Sequence, residues 1–150
     1  MDTNGFSPIV FLEVEDIPDI MKLEQQCFAY HWSDEQYMLG LQKGAFKIIG
    51  LHYKAELVGY LAFSMIVDEM EILNIGVNPE FRRKGIGALL MKGLLQICKE
   101  NGIDKGFLDV KVSNSAAICL YEKFGFAKIG LRKRYYPDTK EDALLYRLDL

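Results

Sequence analysis

The stretch Ile75-Gly76-Val77-Asn78-Pro79-Glu80-Phe81-Arg82-Arg83-Lys84-Gly85-Ile86-Gly87-Ala88 decides how this chain is read. An apolar strand runs up to a turn closed by Asn78-Pro79. A basic loop with two glycines follows and opens into a long apolar helix. Loop amides, two residues without Cβ, three consecutive cations and a helix N-terminus converge on one point, the arrangement that receives a phosphate-bearing ligand. Two familiar phosphate loops fail here. A Walker loop needs Gly-x4-Gly-Lys-Ser/Thr, and a dinucleotide fingerprint needs a third glycine where Leu90 stands. What remains is Arg82-x-x-Gly85-x-Gly87. Such a loop is often a plain solvated turn, but its place between strand and helix gives it functional weight.

Outward from this segment the chain alternates strand and helix patterns. Gly87 to Asn101 repeats Leu90, Leu94, Ile97 and Asn101 at helical spacing, and Gly102 supplies a stop. Upstream, Ile9 to Val14 is a β-rich run, and Glu15-Asp16 can cap a helix bearing Ile17, Ile20, Met21, Leu23 and Glu24, with Pro18 in its first turn. Ser33-Asp34-Glu35-Gln36 resembles a capping box that opens a short helix ending near Gly40. Phe46 to Tyr53 and Leu57 to Val67, joined by Lys54-Ala55-Glu56, form a hairpin pattern, and Met70 to Val77 is a third strand in succession. Downstream, Phe107 to Val112 is a strand, Ser113-Asn114-Ser115 caps a helix through Phe124, and Ala127 to Tyr135 and Asp142 to Leu148 make a final pair. The order β-α-α-β-β-β-α-β-α-β-β predicts one α/β domain over residues 1–150 with a mixed sheet.

The bulk composition agrees. The 150 residues suit one domain with a substantial core, half of them hydrophobic and 26% charged. The net charge of −3 argues against nucleic acid as the main partner and suits a basic protein or peptide. Cys27, Cys98 and Cys119 are odd in number and widely spaced, which reads as reduced, mostly buried thiols and not as a disulfide or metal framework. Two histidines cannot build a histidine-rich metal site, so no metal is expected. No apolar run approaches the ~20 residues of a membrane span, and Met1 to Pro8 lacks the pattern of a signal peptide. The expected location is the cytoplasm, with no membrane partner.

Specific segments carry a family resemblance. The loop has the form Gln/Arg-x-x-Gly-x-Gly/Ala, and Leu108-Asp109-Val110-Lys111-Val112-Ser113-Asn114-Ser115-Ala116-Ala117 leads into Leu120-Tyr121-Glu122-Lys123-Phe124-Gly125-Phe126. Arg132-Lys133-Arg134-Tyr135-Tyr136 and Glu141-Asp142-Ala143 follow. Together with Cys27-Phe28 and Trp32-Ser33, these resemble the GNAT N-acetyltransferases, and within them the RimI-type ribosomal-protein alanine N-acetyltransferases. The likeness spans nearly the whole chain. It departs at His31, where the family usually has Pro, and at Asp109, where it has Glu. It implies a single-domain GNAT fold, α/β, with a mixed, mostly antiparallel central sheet flanked by helices on both faces.

The same resemblance implies an acetyl-CoA-dependent enzyme acting by direct attack in a ternary complex. The amides of Arg82, Arg83, Lys84, Gly85, Ile86, Gly87 and Ala88 would hold the CoA diphosphate. Ile75, Gly76 and Val77 would hold the pantetheine arm, with the Val77 N–H facing the oxyanion, and Asn114 would touch the arm as well. Tyr121 would be the general acid and Asp109 the base, its shorter reach suggesting a bound water; Glu71 is a rival base. Tyr135 and Tyr136 would line the acceptor groove. The implied acceptor is a protein N-terminal amine, alanine of a small-subunit ribosomal protein. Two other readings stand beside this one: acetylation of a lysine side chain or small-molecule amine, and a non-catalytic acyl-CoA-binding module. From the residues alone, Tyr121 and Phe124 equally fit a core stripe, Asn114 a helix cap, and Asp109 a solvated strand carboxylate, since it alternates with Leu108, Val110 and Val112. Arg132, Lys133 and Arg134 read as a solvated basic face.

Overall fold

Period-two alternation in consecutive apolar strands gives the sheet two faces to cover. In the computed structural model, which describes residues 5–29 and 31–150, the strands are β1 Val10–Leu12, β2 Lys47–Tyr53, β3 Glu56–Ile66, β4 Glu69–Val77, β5 Lys105–Lys111, β6 Ala127–Arg132 and β7 Ala143–Asp149. The helices are α1 Ile17–Cys27, α2 Asp34–Lys43, α3 Ile86–Glu100 and α4 Ser115–Lys123. The first half of the segment read for a leader, Met1 to Asn4, lies outside the described residues. The element order agrees with the sequence expectation. The seven strands form one sheet in the order β1-β2-β3-β4-β5-β7-β6. Only the β4–β5 pairing is parallel.

Residues of β3 divide between the faces. Leu57, Tyr60 and Ala62 meet Ile17, Ile20 and Leu23 of α1 and Tyr37 of α2. Val58, Leu61 and Phe63 meet Ile86, Leu90, Met91, Leu94 and Cys98 of α3, with Ala117 and Tyr121 of α4 in the same cluster. Each fully buried aliphatic of this kind contributes about 1.5–3 kcal/mol relative to exposure. α1 lies on β3 and β4, so its face of β5, β7 and β6 stays open.

Several expected boundaries move for identifiable reasons. β1 is only three residues long because Val14–Asp16 turns as a 3-10 helix, and Asp16 accepts from the Glu13 N–H at 2.8 Å instead of capping α1. The Ser33 box is present, with Gln36 N–H donating to Ser33 Oγ at 3.1 Å and Ser33 N–H to Gln36 Oε1 at 2.7 Å. α2 continues past Gly40 to Lys43, since Gly40 makes room for the Phe46 ring and Gly44, at φ +68°, supplies the left-handed cap. β6 stops at Arg132, short of Tyr135. Of the three thiols, all free, only Cys98 is buried; Cys27 is half-buried and Cys119 exposed.

One irregularity places the site. In the β3–β4 ladder Ala62 faces Asn74 but Phe63 faces Ile72, so Leu73 is an extra residue and β4 bulges there. β4 and β5 run together only from Glu69↔Lys105 to Ile72↔Leu108. Beyond the bulge they part.

Candidate active site

The parting of β4 and β5 leaves Asn74–Val77 without a neighbour on the β5 side among the described residues. The Asn78 N–H donates to Val58 O on β3 at 2.8 Å. Antiparallel alternation then turns Gly76 toward β3, and Ile75 and Val77 toward the gap. The Ile75 N–H is taken by Asn74 Oδ1 at 3.0 Å. Val77 O accepts from Cys27 Sγ at 3.3 Å and Arg82 Nε at 3.4 Å. The Val77 N–H and Ile75 C=O are left aimed into the gap, with spacing suited to an extended amide-bearing chain. Gly76 is required there by close approach, since a Cβ would stand 2.5 Å from Tyr60 Cε1.

The basic loop ends beside this gap. After a 3-10 turn over Pro79–Phe81, Arg82, Arg83 and Lys84 are all exposed, and Gly85 takes φ +79° as the residue preceding α3. α3 begins with no side-chain cap and no acidic residue in its first turn. Its first α-type bond runs from Leu89 N–H to Gly85 O at 3.0 Å, so the N–H groups of Ile86, Gly87 and Ala88 lack intrahelical acceptors. The Ile86 side chain plugs the core at 1% exposure, leaving its amide for the loop. Uncapped donors, the positive helix end and three exposed cations fit a diphosphate. At Gly87 a Cβ would approach Leu120 Cδ2 to 3.1 Å, which holds α3 close to α4.

On the open face, Glu71 of β4 and Asp109 of β5 project beside the last parallel rung. They share a cleft of about 450 Å³ with Phe107, Ile129, Arg132 and Tyr135. Asp109 follows Leu108, the last residue paired to β4, and so sits at the apex of the split. Its Leu108 and Val110 neighbours are buried on the other face as the alternation predicts, while Val112 is exposed beyond the strand end. The Glu71 carboxyl is raised above the usual carboxylate range, chiefly by burial and then by the Asp109 charge, with Arg132 opposing.

The remaining expected residues fall around the same split. Tyr121 is 4% exposed, its ring 5.9 Å from that of Phe126, and its hydroxyl has no hydrogen-bond partner among the described residues. Burial and the nearby Tyr136 hydroxyl push the Tyr121 phenol well above its ordinary value. Tyr136 is itself raised to about 12, by burial and then by the Asp109 carboxylate. Tyr136 therefore senses both Asp109 and Tyr121, from a loop tied across the end of β5. Its ties are Lys111 Nζ to Asp138 Oδ2 at 2.7 Å and Ser113 N–H to Glu141 Oε1 at 3.2 Å. Tyr135 lines the cleft, edge-on to Tyr136 at 5.2 Å, with the Arg132 guanidinium over its ring. Asn114 is the N-cap of α4, accepting from Ala117 N–H at 3.2 Å, which leaves its amide Nδ2 free to donate.

A buried constellation escaped the sequence reading. Glu24, read from the sequence only as one of the residues borne by the first helix, is completely buried. Its Oε1 accepts from the hydroxyls of Tyr37 and Tyr60 and from Asn74 Nδ2. A carboxylate on an apolar helix stripe is the signal that could have exposed it. Among the described residues no group of three His, Cys, Asp or Glu side chains could hold a metal ion, and no helix is long and apolar enough to cross a membrane.

Comparison with known proteins bears on this geometry. The model of the Acetyltransferase (GNAT) family matches residues 17–126. The [ribosomal protein bS18]-alanine N-acetyltransferase of Escherichia coli (strain K12) is 31% identical over 141 residues, which is 93% of this chain and 95% of that protein. The crystal structure of the ribosomal-protein-S18-alanine N-acetyltransferase from Escherichia coli superposes with a TM-score of 0.89, at 31% identity, covering 96% of this chain and 93% of that one. The PaiA N-acetyltransferase from Thermoplasma acidophilum, in complex with coenzyme A, shares the fold with a TM-score of 0.81 at 19% identity, covering 97% of this chain and 99% of that one.

Proposed function

The chain belongs to the acetyltransferase (GNAT) family, and on that premise we propose that it acetylates the N-terminal α-amine of a protein, alanine of a small-subunit ribosomal protein being the acceptor of choice. It is an acetyl-CoA-dependent N-acetyltransferase. The observation that carries the site assignment is the β4–β5 parting, with the unpaired Val77 N–H and Ile75 C=O on one side and two carboxylates on the other.

In this reading the loop Arg82 to Ala88 holds the diphosphate, and Ile75 to Val77 pair with the pantetheine amides. Asn114 donates to the same arm. The Val77 N–H then points where charge develops on the acetyl carbonyl oxygen, the position at which a fixed donor lowers the barrier. The acceptor amine approaches from the open face, past Tyr135 and Tyr136. A carboxylate of the Glu71–Asp109 pair takes its proton, Asp109 through a water. An α-amine, with a pKa of ~7.7–8.0 against ~10.4 for lysine, is already partly neutral at pH 7, so little basicity is demanded. As the C–N bond forms and the C–S bond breaks, Tyr121 returns a proton to the thiolate. Its raised pKa makes it a poor acid in advance, so proton transfer accompanies C–S cleavage.

The test is acetyl transfer to peptides that differ only in their first residue, with free lysine and a polyamine as competitors. An Ala-starting peptide derived from a small-subunit ribosomal protein is expected to lead in kcat/KM by at least tenfold. A lead for lysine or polyamine would sink the N-terminal assignment while leaving the family intact.

A further inference from the structure

Glu24 is the most completely buried charged side chain described, and the acyl-transfer steps above make no use of it. It lies on α1 at 0% exposure, and its Oε1 is a hub. The Tyr60 hydroxyl donates to it at 2.8 Å, Asn74 Nδ2 at 2.8 Å, and the Tyr37 hydroxyl also donates. Asn74 Nδ2 reaches the Tyr60 oxygen too, at 3.0 Å. A carboxylate so enclosed is costly to bury unless its contacts are specific, and Oε2 has no partner.

Two of its three donors act directly on β4. Asn74 is the residue just past the extra Leu73 of the bulge, and its Oδ1 holds the Ile75 N–H at 3.0 Å. The Tyr60 ring lies against Gly76, where it leaves no room for a Cβ. One turn along α1 from Glu24, Cys27 Sγ reaches Val77 O. Contacts from α1 and β3 thus touch Asn74, Gly76 and Val77, and Asn74 in turn holds Ile75, so the whole stretch bordering the gap is fixed from that side.

We propose that Glu24 is a positioning residue for acyl transfer: through Asn74 and Tyr60 it fixes the β4 bulge and so the direction of the Val77 N–H. The proposal rests on Ile75–Val77 being the strand that holds the acyl arm. An oxyanion donor misplaced by about 1 Å forfeits up to ~10²-fold in rate while leaving binding contacts further along the ligand nearly intact. Tyr37 provides the internal control. It bonds Glu24 from α2 and belongs to the cluster of the α1–α2 face, so its hydroxyl supports the Glu24 hub but holds no backbone group of β4, as Asn74 holds the Ile75 N–H.

Glu24→Leu, Glu24→Gln, Asn74→Ala and Tyr37→Phe are compared by steady-state transfer, thermal melting and amide hydrogen exchange over residues 73–78. Glu24→Leu and Asn74→Ala should each lower kcat by 30-fold or more, with KM for acetyl-CoA within about threefold. Together they should cost little more than either alone. Glu24→Gln, which keeps an accepting oxygen, should recover kcat to within about fivefold of the parent. Tyr37→Phe should lower the melting temperature with kcat within twofold. Exchange over 73–78 should quicken at least tenfold in Glu24→Leu and Asn74→Ala but not in Tyr37→Phe. If Glu24→Leu fails to fold, Asn74→Ala and Glu24→Gln carry the comparison. A kcat within threefold of the parent for Asn74→Ala, or exchange over 73–78 no faster than in Tyr37→Phe, overturns the proposal and leaves Glu24 a plain structural anchor. Should the parent prefer lysine or a polyamine, the kcat comparison runs with that acceptor, so loss of the N-terminal reading does not decide the role of Glu24.

Discussion

Replacing Tyr121 by Phe removes one oxygen from a site where the structure separates its chemical from its structural worth. The ring is 4% exposed and packs edge-on against Phe126, and Phe preserves that contact. No described hydrogen bond is lost with the hydroxyl, so folding stability should change by less than about 1 kcal/mol. Loss of a general acid typically costs 10²- to 10⁴-fold. Because the raised phenol transfers its proton late, we expect the lower half of that range, roughly 10²- to 10³-fold in kcat, or about 2.7–4 kcal/mol of barrier. Acetyl-CoA affinity should hold within about threefold, since in the proposed mechanism the hydroxyl meets only the departing sulfur. The assay is thiol release at saturating acetyl-CoA and acceptor, beside a melting curve and a calorimetric titration. The sign with pH also follows. A Tyr held above its usual pKa keeps its proton up to pH ~10, so no basic limb should arise from it below that. A kcat within threefold of the parent at unchanged melting temperature would refute the acid role and return Tyr121 to the core stripe.

Across pH, activity should fall on the acid side as the base protonates, with a midpoint above the usual carboxylate range if Glu71 is in use. Asp109→Asn removes a charge that raises Glu71, so it should shift that limb to lower pH. Glu71→Gln should abolish the limb, and a limb surviving in Glu71→Gln but lost in Asp109→Asn assigns the base to Asp109 instead. Gly85→Ala forces a side chain into a left-handed backbone at φ +79°, costing about 1–2 kcal/mol and weakening acetyl-CoA binding several-fold by calorimetry. Arg83→Ala and Lys84→Ala should each weaken that binding and flatten its salt dependence; an unchanged slope would remove them from the diphosphate site.

The sequence was most legible where local chemistry and long-range packing agree. The Ser33–Gln36 box is a local device and folds as its residues require, whereas the Lys54-Ala55-Glu56 joint was legible from the strand patterns on either side, since Lys54 and Ala55 both take a positive φ that neither favours. The sidedness of Asp109 followed from period-two alternation alone. Gly40 misled because a glycine that yields space to a distant ring looks, in sequence, like one that ends a helix. The bulge at Leu73 was illegible, since a register shift depends on what β3 and β5 offer opposite. Glu24 was hidden for a related reason: its three donors come from α2, β3 and β4, and no spacing rule joins positions 24, 37, 60 and 74. Tyr136 could be read only as a groove residue, and its closeness to both Asp109 and Tyr121 emerged once the loop was tied to Lys111 and Ser113.

The four-rung parallel splice between β4 and β5 has a consequence for how the protein behaves before it meets its co-substrate. Mechanically, it is a half-closed zip joining two plates. The β1–β4 plate and the β5–β7–β6 plate are held at one end, while backbone groups at the other end are left wet. In the proposed binding mode, an extended amide-bearing ligand laid along Ile75–Val77 would serve as a borrowed strand, and filling the site would amount to finishing the fold. Occupancy at a hundredfold over Kd adds about 2.7 kcal/mol, which for a domain of this size raises the melting temperature by roughly 5–11 °C. Supply of acetyl-CoA would thereby set the durability of the protein along with its rate. Desulfo-CoA, which keeps the arm and diphosphate but has no acetyl to give, should protect nearly as well.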